Sequence, residues 1–267
     1  MTFDCIISQV HIPDFDVQGN LTFNQKTQLV DHGLRHLRRF NTDSYIILSG
    51  HGHRPRYTEV CNFVYWEDKC RPLNEHGYVE GMPAQFPFVS KAIKQAKKEG
   101  HTYCLKTRGD CVIGIPGISD YCHKILTAEN KPLLITQQTG DDRMGDCFMY
   151  GEIDLMDKIW DENNPVHNPD GLQNTAINFR NAVDDHTTPW FDLVKKYCAF
   201  RDVDTLKFMC LRWNYHKLTK EWNNILEVDF DYAKYHWGKA NGWHAFNKDR
   251  TMRSSADYFW CASQFYR

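Results

Sequence analysis

No run in this 267-residue chain approaches the roughly 18 uncharged apolar residues that a membrane-spanning helix needs. The opening residues, Met-Thr-Phe-Asp-Cys-Ile-Ile, lack the basic start of a secretory leader, so a soluble, cytoplasmic protein with no transmembrane segment is expected. The ten cysteines include no Cys-x-x-Cys pair, which removes the usual frame of a zinc ribbon or a dithiol redox centre. They are scattered, several inside apolar runs, and are expected to be reduced core residues. Neither sign of charge prevails: 32 Lys and Arg face 34 Asp and Glu, a net charge of -2. The broad positive field of a non-specific nucleic-acid binder is therefore missing, and no nucleic-acid partner is expected. A Walker-type glycine loop, an internal repeat and a low-complexity tract are absent as well. So is any linker, which favours one domain over residues 1–267.

What the chain does contain is an ordinary globular balance, 42% hydrophobic and 25% charged, with an aromatic content of 14%. The aromatics are unevenly placed, with nineteen of them in the last 81 residues. Hydrophobic patterning predicts strands at Cys5–Val10, Ser44–Ser49, Val60–Trp66 and Thr102–Thr107. Helices are predicted at Asn24–Phe40, where Leu29, Val30, Leu34 and Leu37 share a face, and at Ser90–Gly100, with Ser90 as N-cap and Gly100 as stop. Strands follow at Pro132–Thr136 and Cys147–Tyr150, then helices from Ile153 to Trp160 and around Gln173 to Val183. Strand and helix in alternation imply an α/β fold, a mainly parallel sheet covered on both faces with ligands at the carboxyl ends of its strands. Beyond that point short aromatic pieces show no clean period.

The run Lys106-Thr-Arg-Gly-Asp110 leaves the end of a predicted strand. A carboxylate there suits a turn or a metal ligand, and the neighbouring arginine offers a planar fork for phosphate oxygens. His51 and His53 suggest a metal pair, but no third ligand stands at a recognisable spacing. His167, His186, His236 and His244 fall in loop-like stretches.

The run from Ala84 to Asp110 resembles the central block of the WavE-type lipopolysaccharide-synthesis glycosyltransferases: a Gln at a helix start (Gln85), then a strand reading roughly Tyr-x-Leu-Lys-x-Arg-x-Asp. Asp146 to Trp160 is similar to the second block of that family, an aromatic strand ending in Gly, an acidic helix start and a closing Trp. The chain is also similar to small anchor-free glycosyltransferases of large algal viruses, for which the location would be the host cytoplasm. The likeness covers residues 84–160 well, the first 80 only in element order and the last third hardly at all.

The resemblance implies a GT-A fold, with a Rossmann-like part over 1–160 that holds a nucleotide-sugar donor and an acceptor-side part over 161–267 for a glycan or glycoprotein. It implies Mn²⁺ or Mg²⁺ bound by Asp110 in a turn where Arg108 replaces the usual first Asp. That departure leaves one carboxylate where two are usual and lets Arg108 neutralise the diphosphate itself. Lys106, either structural or a phosphate neighbour, and Gln85 belong to the same donor side, as do the strand-end residues Gln9, Ser49 and Arg54. A base for the acceptor hydroxyl is expected among Asp146, Glu152 and Asp154, of which Glu152 and Asp154 equally suit a helix N-terminus. Trp213, Tyr215, Trp222, Trp237 and Trp243 suit either sugar stacking or core packing. A carbohydrate-binding protein without chemistry on the same fold is the alternative expectation.

Overall fold

The computed structural model describes residues 4–12, 23–68, 81–136, 138–139, 143–144, 147–163, 172–201, 205–206 and 208–210. Strand β1 (Asp4–Ile12) leads to helix α1 (Phe23–Phe40), β2 (Tyr45–Gly52), β3 (Phe63–Glu67), α2 (Gly81–Lys98) and β4 (Tyr103–Arg108). Then come β5 (Cys111–Ile113), α3 (Ile118–Glu129), β6 (Leu133–Ile135), the short pair β7 (Gln138–Thr139) and β8 (Arg143–Met144), and β9 (Phe148–Glu152). Helices α4 (Ile153–Ile159), α5 (Leu172–Val183) and α6 (Trp190–Tyr197) precede β10 (Cys198–Phe200) and β11 (Phe208–Cys210).

Seven strands form one sheet in the order β10-β6-β9-β4-β1-β2-β3. All run parallel except β9, which lies antiparallel to both β4 and β6. The mainly parallel sheet flanked by helices is the expected fold class. From β1 the chain builds outward through β2 and β3, then crosses to place β4 on the other side. The crevice between β1 and β4 is thus a topological switch point, where open α/β sheets take their ligands.

Strand alternation divides the core in two, because successive side chains point to opposite faces. Ile6, Ile46, Leu105 and Leu134 face Leu29 and Leu37 of α1 and Ile125 of α3. Cys5, Ile7, Ile47, Cys104 and Leu133 face Val89 and Ile93 of α2, Met156 of α4, Phe179 of α5 and Val194 of α6. Elements after residue 160 therefore complete the same sheet and core. Asn41 ties two helices together: its amide donates to the Leu37 carbonyl at 2.9 Å and its oxygen accepts from the Ile118 amide, at the start of α3, at 3.0 Å. No disulfide occurs among the described cysteines, and burial raises the thiols of Cys61, to about 12, and of Cys122 and Cys198.

Several elements depart from what the sequence predicts. Helix α2 begins at Gly81, nine residues before the expected cap, and carries Pro87 inside it. Its first turns hold Gly81, Pro83 and Pro87, residues that read as breakers, yet Phe86, Phe88 and Val89 are buried against the sheet and outweigh that cost. Ser90 is consequently no cap but a fully buried residue of the helix interior. Helix α3 has no counterpart in the sequence reading, and β3 ends one residue later than expected and starts three later.

Candidate functional site

At the carboxyl edge of the sheet the α2 face turns from apolar to polar within one pleat. Register sets Ile7 between Ile47 and Lys106, and two residues further Gln9 between Ser49 and Arg108. Gln9 and Ser49 are buried, and the Ser49 hydroxyl has no hydrogen-bond partner among the described residues. Lys106 is wholly buried. Its Nζ donates to Gln85 Oε1 of α2 at 3.2 Å and lies 4.7 Å from the ring of Trp160, which follows α4. The structure thus joins Gln85, Lys106 and the closing Trp, residues 75 positions apart in sequence at the extremes. One pleat higher His11 stacks on His51 at 4.2 Å and His51 on Phe88 at 4.9 Å, so His51 packs within an aromatic stack. His53 donates its backbone N–H to Ile12.

The turn after β4 closes on itself. Arg108 Nε donates to Asp110 Oδ1 at 2.9 Å and its Nη2 to Oδ2 at 2.7 Å, a two-pronged, charge-assisted pair. The Asp110 side chain is 1% exposed and the Arg108 side chain 19%, so the cation stands outward of the carboxylate. Two glycines make the turn possible. The Gly109 amide donates to the Gln9 carbonyl at 2.9 Å, which straps the turn to β1. A Cβ on Gly33 of α1 would stand 2.2 Å from the Gly109 carbonyl oxygen, so the helix can pass beneath the turn only where α1 has no side chain. Nothing in the linear sequence marks Gly33 for this packing.

Arg54 is exposed in the loop after β2. That loop is pinned to α1 by Asp31, whose Oδ1 accepts the amides of Arg56 at 2.7 Å and Tyr57 at 3.3 Å. Burial raises the Asp31 carboxyl above its ordinary range, and the amides of Tyr57 and Arg56 act against that rise. Arg35 of α1 lies over the Tyr57 ring at 4.6 Å.

The three acids of the second block separate. Glu152 pairs in register with Tyr103, the first residue of β4, because β9 runs against its neighbours. Arg108 closes the same strand five residues on, about 16 Å away at the usual rise. Glu152 stands at the start of α4 without a side-chain capping bond and accepts a long hydrogen bond from Tyr103 at 3.5 Å. Asp154 is exposed and paired with Lys97 at 2.8 Å, and that lysine holds its carboxyl below the ordinary range. The structure therefore does not bring Glu152 and Asp154 to the Arg108–Asp110 turn. Asp146 lies outside the described residues, as do His167, His236, His244, Trp213, Tyr215, Trp222, Trp237 and Trp243. His186 is exposed, 3.8 Å from Asp184.

Among the described residues no group of three or more His, Cys, Asp or Glu side chains is placed to hold a metal ion. Asp110, the ligand implied by the resemblance, has both oxygens on Arg108. These residues do not fit an Mn²⁺ or Mg²⁺ centre.

A cytidylyltransferase from Leptospira borgpetersenii serovar Hardjo-bovis (strain JB197) superposes on this chain with a TM-score of 0.50 at 10% identity, covering 92% of this chain and 100% of its own. The fold is GT-A-like. A protein from Desulfovibrio desulfuricans G20 described as a nucleotide-diphospho-sugar transferase matches at 12% identity and a TM-score of 0.47, over 92% of this chain and 100% of its own. A glycosyltransferase involved in the glycosylation of the major capsid of PBCV-1 matches at 11% identity and a TM-score of 0.40, over 75% and 83%. At 10% identity the likeness to the cytidylyltransferase speaks for the fold alone, and the matches single out neither the lipopolysaccharide-synthesis family nor the viral enzymes. No protein-family profile and no curated protein sequence matches the chain. Among the described residues no helix is long and apolar enough to cross a membrane.

Proposed function

We propose that the chain is a glycosyltransferase that moves a sugar from a nucleotide-sugar donor to a glycan or glycoprotein acceptor. The observation that carries this reading is the polar row Ser49-Gln9-Arg108, backed by Lys106 and Gln85, at the switch point between β1 and β4. A donor diphosphate set at that edge meets Arg108 first, with Lys106 one pleat beneath. Ser49 and Gln9 supply uncharged hydrogen-bonding groups, and Arg54 borders the same edge from the loop held by Asp31.

In the transfer the acceptor oxygen bonds to the anomeric carbon, and the bond from that carbon to the diphosphate breaks. The diphosphate leaves with the electron pair, and cationic side chains stabilise the charge it gains. The acceptor proton passes to a carboxylate. That role is proposed for Asp146, the remaining acid of the three expected for it. Glu152 and Asp154, at the other edge, are not given it. A divalent ion at Asp110 would have to displace Arg108, so the charge on the leaving diphosphate falls to the cationic side chains. The reading treats the chain as one domain: residues 1–160 hold the donor, while α5, α6 and β10 are scaffold and the aromatic residues beyond them serve the acceptor.

A thermal-shift screen against UDP-, GDP- and dTDP-linked hexoses, followed by assay of nucleotide release, tests the proposal. Stabilisation by at least one donor, with slow release of its nucleotide that Asp146→Asn suppresses, is expected. Stabilisation by free polysaccharides alone, with no nucleotide released, would replace the enzyme with a carbohydrate-binding protein on the same fold.

A further inference from the structure

Resting on that reading, we infer that the donor site works without a divalent metal: Arg108 is the ligand of the diphosphate, and Asp110 is the residue that positions it. Three observations combine. The carboxylate sits inside and the guanidinium outside, so an incoming anion meets the cation first. The pair is bidentate, 2.9 and 2.7 Å, which fixes the plane of the guanidinium. Finally, the turn is strapped by the Gly109 amide to Gln9 and backed by α1 at Gly33, where there is no room even for a Cβ. To reach a metal, Asp110 would have to give up both of its bonds to Arg108. A metal at its present position would stand against a fixed like charge.

A guanidinium held in this way also has the right shape for its task. Its planar fork matches two phosphate oxygens, and fixing its orientation in advance reduces the ordering cost of binding. Asp110 thus trades the role of metal ligand for that of a buried counterion, and the charge that a divalent ion would bring to the diphosphate comes from Arg108 and the neighbouring Lys106.

The test measures binding of UDP, GDP and dTDP and of their hexose conjugates to the full chain by calorimetry, once with EDTA and once with Mn²⁺. Equal affinity in the two conditions is expected. Arg108→Met should weaken binding roughly ten- to a hundredfold, the worth of a charged hydrogen bond, with no rescue by Mn²⁺. Arg108→Lys, which keeps the charge but loses the fork, should fall between. Asp110→Asn, which keeps the shape of the turn, should weaken binding less than Arg108→Met does, and circular dichroism confirms that each variant is folded. Binding that appears only with Mn²⁺ overturns the inference and leaves the glycosyltransferase reading standing. So does an Asp110→Asn variant that loses Mn²⁺-dependent binding while Arg108→Met keeps it. If no diphosphate binds in either condition, the functional reading falls and the inference falls with it.

Discussion

Gly33→Ala is the smallest change that connects the helix layer to the donor edge. The new methyl would lie 2.2 Å from the Gly109 carbonyl oxygen and 3.2 Å from that of Cys111. Both obstacles are backbone atoms, so no rotamer change relieves them. Ordinary contact requires about 1 Å more, and α1 must withdraw by that amount or the turn must rise. Withdrawal loosens Leu29, Val30, Leu34 and Leu37, all buried on the same helix. Overpacking of this kind costs about 1 to 3 kcal/mol, and backbone contact places it near the upper end. The better helix propensity of alanine returns about 1 kcal/mol. The net expectation is a loss of about 2 kcal/mol, which for a chain of this size lowers Tm by about 4 to 8 °C. Urea denaturation and calorimetry measure it, and donor binding should weaken in parallel because the displaced carbonyl belongs to the residue between Arg108 and Asp110. An unchanged or raised Tm would refute the tight passage of α1 under the turn.

His36 is buried in α1 against Phe40, and burial first, then Arg39, pushes its pKa down to about 4. Below pH 6.5 the unfolded chain takes up a proton that the folded chain refuses until about pH 4, so stability falls across that window, by about 3 kcal/mol in total. His36→Phe should flatten the dependence when urea midpoints are compared between pH 7 and pH 5. Asn41→Ala removes both bonds that link α1 to α3 and leaves the Ile118 amide buried without a partner, a loss of about 2 to 3 kcal/mol readable in the same assay. Asp31→Ala frees the Arg56 and Tyr57 amides, and faster amide exchange confined to residues 53–57 is expected, with a small drop in stability.

Much of the sheet is legible in the sequence, for physical reasons that differ by element. Strands β1, β2 and β4 are buried on both faces, so their near-continuous apolar runs stand out, and α1 shows a clean stripe because only one side of it is covered. Helix α2 hides its first turns because propensity speaks against Pro83 and Pro87, while the burial that overrules it is tertiary. The direction of β9 is invisible from its composition, since an apolar strand reads the same whichever way it runs. That direction is what places Glu152 beside Tyr103, at the end of β4 opposite the Arg108–Asp110 turn. At the site, the resemblance brought Gln85, Lys106, Arg108 and Asp110 forward together, and the structure joins the first two and the last two as pairs. The closure of Arg108 on Asp110 was beyond a linear reading. Two residues apart in a chain, an arginine and an aspartate can face each other or a ligand, and here they face each other over a turn strapped to β1 at Gly109 and packed against α1 at Gly33.

The reversed strand has an evolutionary consequence. Because β6 runs with β4 and β9 runs against it, Ile135 and Phe148 both lie at the carboxyl edge, and the connection between them leaves and returns at the side where the donor is proposed to sit. Outside its β7–β8 pair, residues can be added to or removed from this connection without re-registering the seven-stranded sheet. Selection can therefore rework the rim of the site through this one segment while the strands that carry Gln9, Ser49, Lys106 and Arg108 remain as they are.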